Sequence, residues 1–130
     1  MINATIPSPL PRLLETIDRY FDLMYDCDLA RFDDVFLPSA SLNGLRDGSL
    51  VVWPVAQYRD ILAKRQSPQS LGAPRQQEIL QIDFAGPHQA VAKVRVLINK
   101  SSFVDHLTLI DVDGAWKIAF KAYTLEPSAG

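Results

Sequence analysis

A carboxylate among apolar residues is the first group in this sequence that could do chemistry. Asp105 lies in the stretch FVDHLTLID, residues 103–111, where apolar and polar residues alternate. The two-residue period of a strand places Phe103, Leu107 and Leu109 on the same face as Asp105. If that face looks into an apolar cavity, burial makes Asp105 a usable general acid or base. The alternative is a solvated or hydrogen-bonded structural carboxylate.

Tyrosine hydroxyls are the second candidate group. Tyr20 and Tyr25 flank the apolar stripe of a long predicted helix, and Tyr123 lies in the last predicted strand. A phenol inside an apolar cavity can donate a hydrogen bond to a carbonyl or enolate oxygen and stabilise the charge that develops there. We therefore name Asp105 and Tyr20 as candidate catalytic residues. The alternative for the tyrosines is packing at the rim of the helix stripe.

Large apolar side chains could form the walls of such a cavity. Trp53 ends a predicted strand beside Pro54, and Trp116 opens the last strand with Ile118 and Phe120 on its face. The residues predicted to line the pocket are Tyr25, Trp53, Leu107, Trp116, Ile118 and Tyr123. For the tryptophans, core packing and an interface are the alternatives to stacking on a flat ligand ring.

A further set of charged residues is open to two interpretations: Arg46, Asp47, Arg95 and Lys121. They could lie on a side of the sheet that faces water or an interface, since charged residues are mostly exposed. They could instead place a charge in the pocket for an anionic ligand. The sequence does not decide between the two.

Composition argues against several classes of function. The 130 residues carry a net charge of −2 from 13 basic and 15 acidic side chains, without a basic patch or arm for nucleic acid. One cysteine and two histidines without ligand spacing predict no metal site, and no nucleotide-binding or cofactor motif is present. The stretch MINATIPSPLPRL lacks the pattern of a signal peptide, and no apolar run has the length of a membrane helix. We therefore expect a cytoplasmic protein without a cofactor.

Hydrophobic periodicity predicts helices and strands in the order ααββαββββ. The first helix carries apolar residues at helical spacing from Leu10 to Met24, the second spans residues 28–36 before Pro38, and the third begins at Pro54. The strands are predicted at 39–45, 49–54, 76–86, 90–99, 103–111 and 116–124. The pair Asp113–Gly114 is typical of a hairpin turn between the last two strands.

Helices that come early and antiparallel strands that come late favour an α+β fold. We predict a cone-shaped, strongly curved sheet, antiparallel or mixed, with three helices from the N-terminal half packed on its concave face. The space between such helices and the sheet is a common type of ligand site. No linker divides the chain, so residues 1–130 are predicted to form one domain with a core at about 10–127.

A family resemblance is carried by the stretches IDRYFDLMYDCDLARFDDVFLPSASL (17–42), RDGSLVVW (46–53), AVAKVRV (90–96) and FVDHLTLIDVDGAWKIAFKAY (103–123). Together they resemble the nuclear transport factor 2-like superfamily, and within it the SnoaL-like group called the "putative lumazine-binding" family. The resemblance implies the cone fold and a homodimer. Members of the superfamily include ketosteroid isomerases, polyketide cyclases, dehydratases and transport adaptors, so the fold does not name a function.

Three departures set this chain apart from enzymes of that superfamily. Relatives often end the last strand with Phe-His after a lysine, where this chain has AYT after Lys121, and often have His before a proline, where this chain has Leu37. Tyr20 with Asp105 resembles the pair of a tyrosine and a carboxyl group in ketosteroid isomerases. The early strand that carries their base offers only Asn43 here. These departures count against shared chemistry.

Three functions remain open. The favoured one is a domain that binds a small apolar or cyclic molecule in an apolar conical pocket. The second is a cyclase, dehydratase or isomerase that moves a proton with Asp105 and a tyrosine. The third is a dimeric interaction module whose pocket is filled by its own side chains. In each case we expect a homodimer formed through the outer face of the sheet, with no nucleic acid and no membrane as partner.

Overall fold

The computed structural model describes residues 8–127, so the remaining positions of the predicted domain lie outside the described residues. The helices are α1 (Leu10–Asp26), α2 (Phe32–Val35, directly after a 3-10 turn at Leu29–Arg31) and α3 (Val55–Lys64). The strands are β1 (Phe36–Arg46), β2 (Ser49–Pro54), β3 (Gln77–Phe84), β4 (Gln89–Ile98), β5 (Ser101–Val112) and β6 (Ala115–Leu125). This order confirms the α+β prediction.

The strands form one six-stranded sheet in the order β2-β1-β6-β5-β4-β3, with the helices on its concave face. β1 and β6 are parallel, and every other neighbouring pair is antiparallel. Asp113 and Gly114 both have positive φ angles, 53° and 87°, in the turn that joins β5 and β6. This is the type I′ geometry that suits the twist of a hairpin, which confirms the predicted turn.

The second helix and the first strand differ from their predicted bounds. Asp28 caps only the 3-10 turn, through a 3.0 Å hydrogen bond that its Oδ1 accepts from the Ala30 N–H. Phe36 already has extended backbone angles, so β1 begins there and runs through Pro38. The pairing with β6 is irregular between Phe36 and Ser41, and a proline is tolerated at such an irregularity because no ladder hydrogen bond is lost.

One face of α1 supplies much of the core. Leu13, Ile17, Tyr20 and Met24 are spaced three or four residues apart and are fully buried against the sheet. Each buried leucine or isoleucine of this kind contributes about 1.5–3 kcal/mol to folding. Tyr20 therefore lies within the stripe, although the sequence analysis placed it at its edge. Leu10, predicted to begin the stripe, is 37% exposed.

A β-bulge in β6 decides which of its residues face the helices. Thr108 pairs with Phe120 while the next residue, Leu109, pairs with Ile118, so Ala119 is an extra residue in β6. Before the bulge Ile118 points into the core; after it the alternation is reversed. Phe120 is consequently 56% exposed, which corrects the prediction that it shares a face with Ile118.

Candidate functional site

A cavity opens between α3, the β1–β2 hairpin and the inner face of β4–β6. Its lining residues are Arg46, Trp53, Tyr58, Arg65, Ile98, Phe103, Asp105, Lys121 and Tyr123. The volume that the centre of a water molecule can reach inside it is about 40 Å³. Since one water needs roughly 10–15 Å³ on this scale, the cavity has room for roughly three waters or for one small polar group.

Asp105 lies in the cavity wall with its two carboxyl oxygens in different situations. Its side chain is 1% exposed. Oδ2 accepts a 2.5 Å hydrogen bond from the hydroxyl of Tyr20 and lies 3.8 Å from Nζ of Lys121. Oδ1 is buried and has no hydrogen-bond partner within residues 8–127. One oxygen is thus held in place, and the other is available to a group that enters the cavity.

Tyr20 holds Asp105 in place through a hydrogen bond but is not among the residues that line the cavity. Burial, followed by the charge of Asp105, raises the pKa of the Tyr20 phenol well above its usual range. The phenol therefore keeps its proton and donates it in the hydrogen bond to Asp105. Because that hydroxyl is already engaged, the structure brings together the two predicted catalytic residues but leaves Tyr20 without direct access to a ligand.

Lys121 is the cation that balances Asp105. Its side chain is 5% exposed, and its Nζ donates a 3.2 Å hydrogen bond to the hydroxyl of Tyr58. The same nitrogen lies about 5 Å from the ring centres of Tyr20 and Tyr58, close enough for cation–π attraction. The bulge at Ala119 turns Lys121 inward, so its charge lies at the cavity and not on a water-facing side of the sheet.

An aromatic stack forms the wall next to the β1–β2 hairpin. The Trp53 ring lies between Tyr58, at 6.1 Å and 21°, and Tyr123, at 5.8 Å and 13°. Gly44 lies under Tyr123, where a Cβ atom would overlap the phenol ring. The hydroxyl of Tyr123 is buried without a partner within residues 8–127. The prediction that Trp53 and Tyr123 line the pocket agrees with this geometry.

Arg65 is a lining residue that the sequence analysis missed. It follows α3 directly, and its Nη1 is buried without a hydrogen-bond partner within residues 8–127. None of the ion pairs in this part of the chain includes Arg65. The signal was its spacing, because Arg65 follows Tyr58 and Leu62 at intervals of four and three residues and so continues the buried face of α3 just past the end of the helix.

Several residues predicted to line the pocket lie elsewhere: Tyr25, Leu107, Trp116 and Ile118. The last three are buried in the core, and Trp116 packs edge-on against Phe84 at 6.2 Å. Trp116 is seven residues from Tyr123 in the same strand, which separates them by roughly 20 Å. The Tyr25 hydroxyl donates a 2.9 Å hydrogen bond to the carbonyl of Ala73 and so ties down a loop. These placements correct the prediction.

The other charged candidates divide between cavity and surface. Arg46 lies at the cavity, with its guanidinium 5.9 Å from the centre of the Trp53 ring. Asp47 lies in the β1–β2 turn with φ of 51°. Arg95 pairs with Glu78 and Glu126, so its charge is already balanced outside the cavity.

Neither a metal centre nor a membrane span is found in the described part of the chain. Within residues 8–127, no three His, Cys, Asp or Glu side chains cluster as they would around a metal ion. In the same range, no helix combines the length and the apolar character that a bilayer crossing requires.

Solved structures with this fold come from several bacteria. A nuclear transport factor 2-like protein of unknown function from Shewanella baltica is 24% identical over 97% of this chain and 100% of its own, with a TM-score of 0.83. A protein of the same description from Silicibacter pomeroyi is 20% identical over 90% and 95%, with a TM-score of 0.76. A structure titled "putative ketosteroid isomerase" from Kribbella flavida is 12% identical over 92% and 82%, with a TM-score of 0.56. At these identities the likeness establishes the fold alone.

Sequence comparison identifies the family. No curated protein matches this chain significantly. The family described as "Putative lumazine-binding" matches residues 10–124. That match spans most of the chain, and the similar solved structures share the fold of this chain. The protein therefore belongs to the "Putative lumazine-binding" family.

Proposed function

We propose that this domain binds a small molecule whose polar end enters the cavity beside Asp105. The observation that carries the proposal is a set of three buried atoms, Oδ1 of Asp105, Nη1 of Arg65 and the hydroxyl oxygen of Tyr123, each without a partner within residues 8–127. All three belong to residues that line one cavity. Buried polar atoms are nearly always hydrogen-bonded, and leaving one unpaired costs about 1–3 kcal/mol. A ligand with donors and acceptors would satisfy them.

The apolar part of the ligand would lie at the mouth of the cavity. Trp53, Ile98 and Phe103 supply apolar surface there. Because the cavity takes only a small group, a ring larger than the cavity would rest on this surface, and contact with an aromatic side chain suits a flat ring. The description of the family names a small-molecule ligand, which agrees with this proposal.

The test is a calorimetric titration with lumazine and other planar ring compounds. We expect at least one to bind the wild-type protein and to raise its melting temperature, since a ligand at 100 times its Kd stabilises by about 2.7 kcal/mol. Ile98→Trp would fill the cavity and should abolish binding. Ile79→Trp adds the same bulk on an exposed edge strand and should leave binding unchanged. Binding that survives Ile98→Trp would place the ligand elsewhere and refute the proposal.

A proton-transfer enzyme is the second candidate, and the asymmetry of Asp105 favours it. A carboxylate with one oxygen held by Tyr20 and Lys121 and the other free is oriented as a general base. Oδ1 would accept a proton from the carbon next to a ligand carbonyl, the C–H electrons would form the enolate, and Arg65 would stabilise the enolate oxygen. Tyr20 would then position the base. The test is deuterium incorporation into 2-tetralone in heavy water, which Asp105→Asn should reduce to the buffer rate.

We also propose that the domain forms a homodimer through the outer face of the sheet. Leu45, Leu50, Val52 and Phe120 are exposed on the adjacent strands β2, β1 and β6. Neighbouring exposed apolar side chains of this kind are typical of interfaces. A two-fold pairing of the same surface is the commonest way in which a single chain covers such a face.

A further inference from the structure

The charges around the cavity do not balance, and the excess is positive. Lys121 has Asp105 at 3.8 Å, so these two charges offset one another. Arg65 has no ion pair within residues 8–127 and carries a buried Nη1 without a hydrogen-bond partner. Arg46, at the same cavity, likewise forms no ion pair in that range. Arg65 as a whole is half-buried, but its buried Nη1 is costly to leave without a partner, and an anion in this cavity would supply one.

The hydrogen-bonding groups of the cavity are of opposite kinds. Arg65 can only donate, and Asp105 Oδ1, in the ionised carboxyl group, can only accept. A ligand that satisfied both would bring an acceptor to Arg65 and a donor to Asp105. The hydroxyl of Tyr123 can do either and does not discriminate.

We propose that the ligand is a planar ring that carries a carboxylate, bound by Arg65, and a hydroxyl or N–H group, bound by Oδ1 of Asp105. This inference rests on the function proposed above and names the ligand class of the same cavity. A carboxylate matches the planar fork of a guanidinium and is small enough for a space of about 40 Å³. The ring rests on the apolar surface of Ile98 and Phe103 at the mouth, where Arg46 adds a second positive charge.

The test compares three probes by isothermal titration calorimetry: pyrrole-2-carboxylate, whose N–H and carboxylate lie on one edge of the ring, pyrrole-2-carboxamide, which lacks the charge, and furan-2-carboxylate, which lacks the donor. We expect pyrrole-2-carboxylate to bind at least roughly tenfold more tightly than the amide, the usual size of a charge-assisted contact. Furan-2-carboxylate should bind more weakly than pyrrole-2-carboxylate, and Asp105→Asn should shrink that difference.

Variants of Arg65 test whether the preference for the acid comes from this side chain. Arg65→Gln should remove the preference for pyrrole-2-carboxylate over the amide, and Arg65→Lys should keep part of it, because the charge remains without the fork. Lys64→Gln removes the same charge from the exposed neighbouring residue and should leave the preference unchanged. Circular dichroism would verify that each variant is folded.

The outcomes separate this inference from the proposed function. If the amide binds as tightly as the acid, or if Arg65→Gln keeps the preference, the cavity binds neutral molecules and the anionic ligand class is wrong. The same holds if lumazine binds while none of the three probes does. If Ile98→Trp leaves all binding intact, or if neither these probes nor the ring compounds bind, the proposed function fails as well.

Discussion

The hydroxyl of Tyr20 donates a 2.5 Å hydrogen bond to Oδ2 of Asp105, which lies 85 residues later in the chain. This contact joins the middle of α1 to the inner face of β5. It fixes the carboxyl group from the side opposite the cavity, so the orientation of Oδ1 depends on the packing of the helix against the sheet. Any ligand chemistry at Asp105 is therefore coupled to the stability of the fold.

Asp105→Asn should destabilise the protein by about 3 kcal/mol, because it leaves Lys121 as a buried charge without its counter-ion. Urea denaturation monitored by circular dichroism measures this. In the background of Lys121→Met the same substitution should cost much less. Asp83→Asn, on the exposed edge strand, is the control and should change stability by less than about 0.5 kcal/mol. Equal costs in both backgrounds would mean that the two charges do not stabilise one another.

Tyr20 should make the stability of the protein fall in alkaline solution. Its pKa is raised above the ordinary value of 10.0, chiefly by burial and next by the charge of Asp105. Above about pH 10 the unfolded chain loses this proton while the folded chain keeps it. The contribution is therefore fully present below pH 10 and is lost as the pH rises toward the folded pKa.

Urea denaturation of Tyr20→Phe between pH 8 and about 11 checks this sign. The variant should be less stable at pH 8 by about 1–3 kcal/mol, because Oδ2 of Asp105 loses its donor, and its further decline with pH should be shallower than that of the wild type. Tyr25→Phe is the matched control and should decline as the wild type does. Parallel curves for wild type and Tyr20→Phe would contradict the assignment.

Gly44→Ala should destabilise the protein by about 1–3 kcal/mol, because the added methyl group overlaps the ring of Tyr123 and forces it toward Trp53. The same substitution should cost less than half as much in a Tyr123→Ser background, where the ring is absent. Thermal denaturation of the four proteins in this cycle measures the coupling. A cost that does not depend on Tyr123 would place the strain in the backbone instead.

Insertion of one alanine after Ala119 should abolish cooperative folding. With one more residue in β6, every later residue would exchange faces, which would bring Phe120 inward and turn Lys121 and Tyr123 toward water. Differential scanning calorimetry would reveal whether a folding transition remains. Deletion of Ala119 is the control, because removal of the extra residue keeps the later residues on their faces and should leave a cooperative transition. An insertion variant that melts like the wild type would show that the strand can slip without cost.

Phe120→Glu should convert the proposed dimer to a monomer. The phenyl ring is 56% exposed at the centre of the outer face, and a charge there would be desolvated on pairing. Light scattering coupled to gel filtration measures the molar mass of each species. Leu71→Glu introduces the same charge at an exposed position in the loop between α3 and β3 and should leave the mass unchanged. A wild-type protein that elutes as a monomer at all concentrations would refute the dimer.

Local patterns in the sequence were enough to predict the helices and strands and, for most of them, which residues share a face. The helical spacing of Leu13 and Ile17 and the alternation around Asp105 each depend on one element and its own period, and both predictions are confirmed. The turn at Asp113–Gly114 depends only on the backbone preferences of its two residues. Each of these features depends only on residues that are close together in the chain, so the sequence by itself determined them.

Contacts between elements that are far apart in the chain decided which residues form the site. The bulge at Ala119 appears only when β6 is aligned with β5, and it places Lys121 and Tyr123 in the cavity while it leaves Trp116 in the core. Arg65 reaches the cavity because α3 packs on the β1–β2 hairpin. The sequence determined that Asp105 shares a strand face with apolar residues, but not that this face would point inward. Only the tertiary structure decided which charges surround it, because strand register and helix docking are set by contacts between residues far apart in the chain.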